Sequence, residues 1–213
     1  MSAAIVFAAA PLTPTPRLRA CLANLQDAYI IAADAGATTA LAFGLTPDLV
    51  IGDLDSIDES TLSHLANVQV DRFPRDKDAT DGQLAIQRAL ERQPTHLYLL
   101  GFLGGPRLDQ FLANVLHLTR IGLPTTVFDE RNEARLLRAH EEHTWSPEAD
   151  EIVSLLPIAG DVTGVRTVGL RWPLGGETLY LGDTRGVSNE PAGEQASVRI
   201  EHGLLLLTRH FAQ

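Results

Sequence analysis

Two aspartates separated by a single residue follow a short apolar run in the stretch Asp48 to Ser56, which reads DLVIGDLDS. The apolar residues 49–51, followed by Gly52, are typical of a buried strand in a parallel sheet. If the chain stays extended beyond the glycine, residues two apart project to the same side, and Asp53 and Asp55 point together. Carboxylate oxygens at the end of such a strand suit Mg²⁺, which proteins commonly share with substrate phosphates. Taken alone, the pair fits equally well one aspartate that caps the next helix beside one that is solvated.

Polar residues follow three other predicted strands at the point where each strand ends. These strands end near residues 33, 73 and 100, and the residues that follow are Asp34; Asp76, Lys77, Asp78, Thr80 and Asp81; and Gly104, Gly105, Arg107 and Asp109. Each group alone could form a helix cap, since Asp and Thr are favoured there. The carboxyl ends of parallel strands meet at one edge of a sheet, where open α/β folds bind ligands. Four such groups on one edge therefore indicate a site.

The residue types in these groups are complementary in a phosphate site. Gly104 and Gly105 let the backbone approach a phosphate closely and offer N–H groups at a helix start. Arg107 and Lys77, the only lysine of the sequence, can neutralise phosphate oxygens. Four carboxylates would repel phosphate unless a divalent cation lay between them, and they are Asp53, Asp55, Asp78 and Asp81. The combination predicts metal-assisted phosphoryl transfer.

The composition excludes several other classes of protein. The net charge of −10 over 213 residues argues against nucleic acid as a partner, because no basic stripe is present to neutralise its phosphates. The single cysteine, Cys21, excludes an intramolecular disulfide and a cysteine-based zinc site. No positively charged segment precedes the apolar residues 3–10, and no apolar run reaches membrane-spanning length. We therefore expect a soluble, cytoplasmic protein without a membrane partner.

Alternating strands and helices over the first 130 residues must position the candidate site. The apolar runs predict strands at residues 5–7, 29–33, 49–51, 68–73, 97–100 and 125–128. Helical spacing and capping residues predict helices at residues 17–27, 36–43, 59–65, 80–92 and 108–121, with Thr80 and Gln83 forming a capping box. This alternation is typical of βαβ units with a parallel sheet.

The pattern changes after residue 139. Short runs broken by Gly, Pro and Asn predict strands near residues 152–156, 162–168, 178–181, 197–201 and 204–208. No helical period persists there, so we expect a small antiparallel β-domain. The polar stretch 140–151 is the expected linker, and His140 and His143 within it are expected to be solvated. The predicted domains are residues 1–139 and 140–213.

The ordered motifs of the whole chain resemble those of the thiamine pyrophosphokinase family. The motifs are D-A-G-A at 34–37, P-D-L-V-I-G-D-L-D-S at 47–56, K-D-A-T-D at 77–81, G-G-P-R-L-D-Q at 104–110, Asn114, G-L-R-W-P-L at 169–174 and R-G-V-S-N-E at 185–190. The resemblance implies an N-terminal three-layer α/β/α domain followed by a C-terminal antiparallel β-sandwich. It also implies a homodimer with shared active sites and Mg²⁺-dependent transfer of pyrophosphate from ATP to the hydroxyethyl group of thiamine.

The same resemblance implies a role for each candidate residue. Mg²⁺ would be held by Asp53, Asp55 and one or both of Asp78 and Asp81. ATP would be held by Lys77, Thr80, Gly104, Gly105, Arg107 and Asp109. Thiamine would be met by Asp34, Ser188 and Asn189. The catalytic set would be Asp81, Lys77 and Asp55, with Asp81 accepting the hydroxyl proton. Trp172 is expected to pack in the β-domain core, and stacking on the substrate is the alternative.

Three positions depart from the family pattern, and two other functions stay open. Ala79 replaces a common lysine, Pro106 interrupts the usual G-G-R, and Gln110 stands where bacterial members often carry histidine. All three positions lie in or beside motifs that the resemblance assigns to ATP binding, so the departures affect the expected geometry around the nucleotide. A pyrophosphokinase that acts on a 6-hydroxymethylpterin shares the D-x-G-A and G-D-x-D-S style of site. A nucleotide-binding regulator without catalytic activity is the other alternative.

Overall fold

The computed structural model describes residues 3–25, 27–55, 57–74 and 76–212. The chain forms two compact units, the first of which comprises Met1–His117 and Ile121–Glu130. The second unit comprises Leu118–Arg120 and Arg131–Gln213. The division after residue 130 differs from the boundary predicted at residue 139, because residues 132–138 form a strand that pairs within the second unit.

The first unit is an α/β unit with parallel strands, as the alternation of apolar runs predicts. Its strands are β1 Ala4–Phe7, β2 Tyr29–Ala33, β3 Leu49–Gly52, β4 Gln69–Arg72, β5 Leu97–Leu100 and β6 Thr125–Phe128. Its helices are α1 Pro16–Ala23, α2 Gly36–Ala42, α3 Glu59–His64, α4 Asp81–Glu91 and α5 Leu108–His117. The strands lie in the order β4-β3-β2-β1-β5-β6, and every neighbouring pair among them is parallel.

The strand order fixes where a ligand can bind. The chain moves outward from β1 through β2 and β3 to β4, and then returns to β5 on the other side of β1. The connections after β1 and β5 therefore diverge, which opens a crevice at their carboxyl ends, the switch point at which open α/β sheets bind ligands. Strands β1 and β3 are buried along their whole length, which agrees with their continuous apolar sequences.

Helix α4 begins where the capping box predicts. Thr80 has an extended backbone, and its hydroxyl oxygen accepts the Gln83 N–H at 3.2 Å. Ala85, Ile86 and Ala89 form the buried face of the helix. This cap fixes Asp81 at the first helical position, directed toward the carboxyl ends of the strands.

The second unit is built from antiparallel strands. They are β7 Asn132–Arg138, β8 Glu142–Trp145, β9 Ile152–Pro157, β10 Val162–Val168, β11 Gly175–Leu179, β12 Ala196–Arg199 and β13 Leu204–His210. Within this unit β13 pairs with both β7 and β9, while β11, β10, β12 and β8 form a four-stranded sheet. Both groups of strands contribute to one apolar core, with Val153 and Leu205 facing the same cluster as Val162 and Val198. The predicted β-sandwich is confirmed.

Two strands lie where the sequence predicts no regular structure. Strand β7 lies inside the region assigned to the first domain, and β8 lies inside the expected linker 140–151. Both predictions were wrong because the sequences of these strands are rich in polar residues. The strands form by pairing with residues far along the chain, and on β7 such a contact, from Arg209, allows Glu133 to be buried, which no local pattern shows. His143 accordingly lies on β8, where its ring stacks on Trp145.

A buried ion-pair network explains how polar strands are accommodated in the second unit. Arg209 on β13 is 8% exposed and donates through Nε and Nη2 to both oxygens of Glu151, each at 2.8 Å. Its Nη1 donates to Glu133 on β7 at 3.1 Å. The Trp145 indole N–H on β8 donates to the same Glu151 at 2.9 Å. We call the three charged residues of this network, Arg209, Glu151 and Glu133, the Arg209 triad. Together with the Trp145 indole, the triad joins β7, β8 and β13 around a fully buried carboxylate.

Candidate active site

A cleft of about 550 Å³ lies in the first unit at the carboxyl ends of β1, β2, β4 and β5. The predicted site residues that line this cleft are Asp34, Lys77, Asp78, Thr80, Asp81, Gly104, Gly105 and Arg107. The structure thus brings three of the four predicted groups together. The segment Ala8 to Pro11 after β1 also lines the cleft. Its small side chains gave no chemical signal in the sequence, although its place after a buried strand pointed to this edge.

Asp34 is the carboxylate most affected by its surroundings. Burial raises its pKa to about 6, and the nearby carboxyls of Asp81 and Asp53 add to the increase. Its Oδ1 atom is buried and has no hydrogen-bond partner among the residues that the structure describes. Gly52 at the end of β3 lies against this carboxyl group, and a Cβ atom at position 52 would collide with it. The sequence therefore places glycine where the carboxylate needs the space.

Lys77 and Asp81 form an ion pair four residues apart, between the loop after β4 and the first turn of α4. Both side chains are largely shielded from solvent and both residues line the cleft. An ammonium group between this carboxylate and the open cleft can contact a phosphate oxygen without moving far. Asp78 is exposed in the same segment.

The two aspartates after β3 are not arranged as the sequence predicts. Leu54 has a positive φ of 66°, so the chain turns instead of staying extended. The Asp55 N–H donates to Asp53 Oδ1 at 3.0 Å, which is an Asx turn. Leu54 is buried and packs into the apolar core, and this contact accounts for the turn. Asp55 is exposed. The negative charge of Asp53 contributes to the raised pKa of Asp34. Neither Asp53 nor Asp55 is among the residues that line the cleft.

The glycine-rich loop after β5 forms the opposite wall of the cleft. Gly104 and Gly105 have φ values of 70° and 82°, which a residue with a side chain adopts only with strain. Asn114 on α5 donates from Nδ2 to the Phe102 carbonyl oxygen at 2.9 Å and so fixes the loop from behind. Arg107 Nε and Nη2 donate to the two Asp109 oxygens at 2.8 and 2.6 Å. Asp109 therefore holds Arg107, and the pair lowers the pKa of Asp109 to about 2.

The donor set of the cleft suits a hard divalent cation. Its oxygen ligands are carboxylates, and the unpartnered Oδ1 of Asp34 is the kind of atom that a cation or a proton must satisfy. As the side chains stand, no group of three His, Cys, Asp or Glu residues within the described ranges could hold a metal ion. The composition of the site therefore fits Mg²⁺, and the assignment of particular ligands stays a prediction.

The remaining candidates, Ser188 and Asn189, lie in the second unit. Ser188 is exposed, with a positive φ of 62°. The Asn189 side chain is buried. It accepts a hydrogen bond from the Trp172 N–H and donates one to the Trp172 carbonyl oxygen. Trp172 itself is 53% exposed, so the prediction that it packs in the core was wrong. The short loop between β10 and β11 turns its ring away from the apolar cluster.

The fold and the cleft together are typical of α/β proteins that bind a phosphate-bearing ligand at the switch point of a parallel sheet, here followed by a separate β-sandwich. Comparison with known proteins narrows this class. Residues 22–127 match the family model described as thiamin pyrophosphokinase, catalytic domain, and residues 141–205 match thiamin pyrophosphokinase, vitamin B1 binding domain.

Individual relatives agree with these matches. The chain is 30% identical over 185 residues to the thiamine pyrophosphokinase of Bacillus subtilis, covering 84% of this chain and 86% of the relative. It superposes with a TM-score of 0.87 and 26% identity on the crystal structure of thiamine pyrophosphokinase from Bacillus subtilis, with complete coverage of both chains. The thiamin pyrophosphokinase structure from Geobacillus thermodenitrificans gives a TM-score of 0.83 at 26% identity, covering 100% of this chain and 99% of that one. The chain belongs to the thiamine pyrophosphokinase family.

Proposed function

We propose that this chain transfers the pyrophosphate group of ATP to the hydroxyl of thiamine, giving thiamine diphosphate and AMP. The observation that supports this best is the cleft that combines the Lys77–Asp81 pair, the glycine-rich loop and Asp34 in a chain of this family. In the reaction the thiamine oxygen forms a bond to the β-phosphorus of ATP, the bond to the AMP oxygen breaks, and the hydroxyl proton is released.

Charge neutralisation and positioning are the main tasks of the cleft. Transition states of phosphoryl transfer require little covalent assistance, so the placement of charges determines the rate. We propose that ATP is bound by the side chains of Lys77, Thr80 and Arg107 and by the backbone N–H groups of Gly104 and Gly105. Asp109 contributes by holding the Arg107 guanidinium, whose other edge stays available to a phosphate.

Mg²⁺ is the cation that this oxygen-rich site suits best. The residues proposed to hold it are Asp53, Asp55, Asp78 and Asp81. When bound, the ion offsets negative charge on the phosphates and on the carboxylates, which otherwise repel each other. Asp81, paired with Lys77 at the start of α4, is the proposed acceptor of the hydroxyl proton.

The proposed thiamine contacts are Asp34 in the cleft and Ser188 of the second unit, which precedes the buried Asn189. Trp172 beside Asn189 presents an exposed indole ring, and a flat cationic heterocycle such as that of thiamine can stack on it. This supports the alternative role for Trp172 over the core role that the sequence favoured.

One assay separates the proposed function from its two competitors. Purified protein is given ATP and Mg²⁺ with either thiamine or 6-hydroxymethylpterin, and AMP release is measured, with an excess of chelator as the control for metal dependence. AMP formed with thiamine and lost with chelator is the expected result. AMP formed only with the pterin would contradict the assignment, and AMP with neither compound would favour the nucleotide-binding regulator.

We further propose that the protein is a homodimer whose active sites each use residues of both chains. Asp55→Asn chains are mixed with equal amounts of chains carrying Ser188→Ala and Trp172→Ala, under conditions in which each homodimer is inactive. One site of a mixed dimer then carries both lesions and the other carries none, so about a quarter of parental activity returns after random reassortment. If each site belonged to a single chain, mixing would restore nothing; a size tag on one chain verifies that reassortment occurred.

The expected cytoplasmic location stays a prediction. Among the described residues, no helix is long and apolar enough to cross a membrane.

A further inference from the structure

We infer that Asn189 is a positioning residue that holds the Trp172 ring in place, and that its side chain does not bind the substrate. The inference rests on the proposed function in one respect, namely that thiamine stacks on Trp172. It assigns to Asn189 a role different from the direct contact that the sequence suggested.

The hydrogen bonds of the Asn189 side chain carry the argument. Its Oδ1 accepts the Trp172 N–H at 3.1 Å and the Glu190 N–H at 2.9 Å. Its Nδ2 donates to the Trp172 carbonyl oxygen at 2.7 Å. The amide therefore holds the backbone of Trp172 on both sides, as a second strand would. We call these three hydrogen bonds the Asn189 clamp.

Burial leaves Asn189 little capacity for a ligand. The residue is 8% exposed, and its own backbone exchanges two hydrogen bonds of 2.8 Å with Val153 on β9. Both acceptor positions of Oδ1 are used, and one amide hydrogen remains. A side chain that contacted substrate directly would have to break part of the clamp first, leaving backbone groups without partners.

The clamp supports an aromatic surface that is assembled before any ligand arrives. The Arg171 guanidinium lies 4.8 Å from the centroid of the Trp172 ring, and Arg171 Nη1 also donates to Glu190 Oε2 at 2.7 Å. The Arg171 N–H donates to the Glu190 carbonyl oxygen at 2.8 Å. The Arg171 guanidinium, which is fixed by Glu190, thus lies over one face of the indole. The Trp172 side chain remains about half exposed, so that a flat ring of the substrate can stack on it.

Holding the ring in advance lowers the entropy cost of binding. A loop ordered only on binding would reduce affinity for thiamine without changing the chemistry of the phosphates. Loss of the clamp should therefore raise KM for thiamine and leave kcat nearly unchanged. A substitution that only weakened the fold would lower the amount of active enzyme and leave KM unchanged.

A double-mutant cycle distinguishes holding from direct contact. KM and kcat for thiamine are measured at saturating ATP for the parent, Asn189→Ala, Trp172→Ala and the double variant. We expect Asn189→Ala to raise KM about tenfold in the parent, the scale of ordering one side chain on binding. In the Trp172→Ala background the same change should alter KM by less than about twofold, because the residue acts through the missing ring. An equal tenfold increase in both backgrounds would overturn the inference and restore Asn189 as a ligand.

Two further variants keep the test interpretable. Asn132→Ala, on β7, removes a side-chain hydrogen bond to His210 within the same unit and should leave KM for thiamine unchanged. If Asn189→Ala does not fold, the cycle is repeated with Asn189→Asp, which retains both acceptor roles but replaces the donor to the Trp172 carbonyl oxygen by a negatively charged oxygen that repels it. KM for this variant should also rise in the parent background and not in the Trp172→Ala background; a rise of the same size in both would again overturn the inference.

Fluorescence quenching tests the clamp without enzymatic activity. The sequence has two tryptophans, and Trp145 is buried, so acrylamide quenching of the folded protein reports mainly on Trp172. Asn189→Ala should increase quenching relative to Asn132→Ala, and equal quenching would contradict the clamp. If the parent releases no AMP with thiamine, the proposed function fails, and this measurement still decides whether the clamp exists.

Discussion

Each unit gathers carboxylates around one cationic side chain, but their hydrogen bonding differs. In the second unit Arg209 satisfies Glu151 and Glu133, and the Trp145 N–H completes the network. In the cleft of the first unit Lys77 pairs with Asp81, while Asp34 keeps a buried oxygen without a partner in the described structure.

This difference in hydrogen bonding indicates that the Arg209 triad stabilises the fold, while the carboxylates of the cleft serve to bind a ligand. A buried ion pair whose partners are all satisfied contributes to a unique packing, and removing one partner leaves a costly charge behind. A crowded set of carboxylates with an unsatisfied oxygen is unfavourable for the empty protein and favourable once a cation binds. We therefore expect substitutions in the cleft to affect catalysis and substitutions in the Arg209 triad to affect unfolding.

The largest expected effect comes from Asp53→Asn. The amide oxygen can still accept the Asp55 N–H, so the turn and the melting temperature should be retained. Loss of a carboxylate beside the proposed cation should reduce kcat about a thousandfold, since metal stabilisation amounts to several kcal/mol. Steady-state AMP release and thermal unfolding are measured on the same preparation. Asp76→Asn removes an exposed carboxylate nearby and serves as the control; equal activity of both variants would remove Asp53 from the site.

Arg209→Met should show the opposite behaviour. It leaves the buried Glu151 without its cation and removes the nearer cation of Glu133, which should lower the free energy of unfolding by about 3–5 kcal/mol. The activity per folded molecule should stay close to that of the parent in dilute buffer. Urea unfolding monitored by circular dichroism measures the loss, with the exposed Arg199→Gln on β12 as the matched control. A loss no greater than that of the control would show that the triad is not stabilising.

Lys77→Arg tests how specific the cleft is for a compact cation. The charge is retained, but the planar guanidinium needs more space and a different hydrogen-bond geometry between Asp81 and a phosphate. We expect kcat/KM for ATP to fall about tenfold, with little change in stability. Kinetics at varied ATP concentration provide the measurement. Unchanged kcat and KM would reduce Lys77 to a solvated charge.

Asp34→Asn is expected to produce a small gain in stability, and the pH dependence of that gain is diagnostic. The native pKa of about 6 lies above the ordinary value of 3.8, so above pH 6 the ionised group destabilises the folded state. Replacement by Asn should raise the free energy of unfolding at pH 7.5 by about 1–2 kcal/mol, allowing for solvent screening. The gain should shrink as pH falls from 6 toward 3.8, and it should vanish only well below 3.8, where the carboxyl is protonated in both the folded and the unfolded state. Unfolding with chelator present measures this, and a gain independent of pH would exclude the ionisation as its cause.

The sequence predicted the first unit well because its strands are locally encoded. Apolar runs that end at Asp or Gly place β2, β5 and β6 at their observed residues, and the Thr80 cap places the start of α4. The edge that carries the cleft follows from the alternation of strands and helices, since parallel strands must end on one side.

The features that the sequence missed depend on contacts between distant residues. Strand β7 contains Glu133 and Arg135 and therefore reads as a polar segment, yet Arg209 from the other end of the unit allows Glu133 to be buried. The turn at Leu54 forms because that side chain packs into the core, which no D-x-D pattern reveals. The exposure of Trp172 depends likewise on Asn189, seventeen positions later.

The central place of β13 has a consequence for the nascent chain. This strand pairs with both β7 and β9, and the contact between Asn132 and His210 spans 78 positions. During synthesis the first unit can fold while the second must wait for β13, because non-local strand pairing forms slowly and late. Until then Glu151 lacks the arginine that neutralises it, and its charge keeps the unfinished strands hydrated. The same residue that tightens the finished unit thus delays premature collapse on the ribosome.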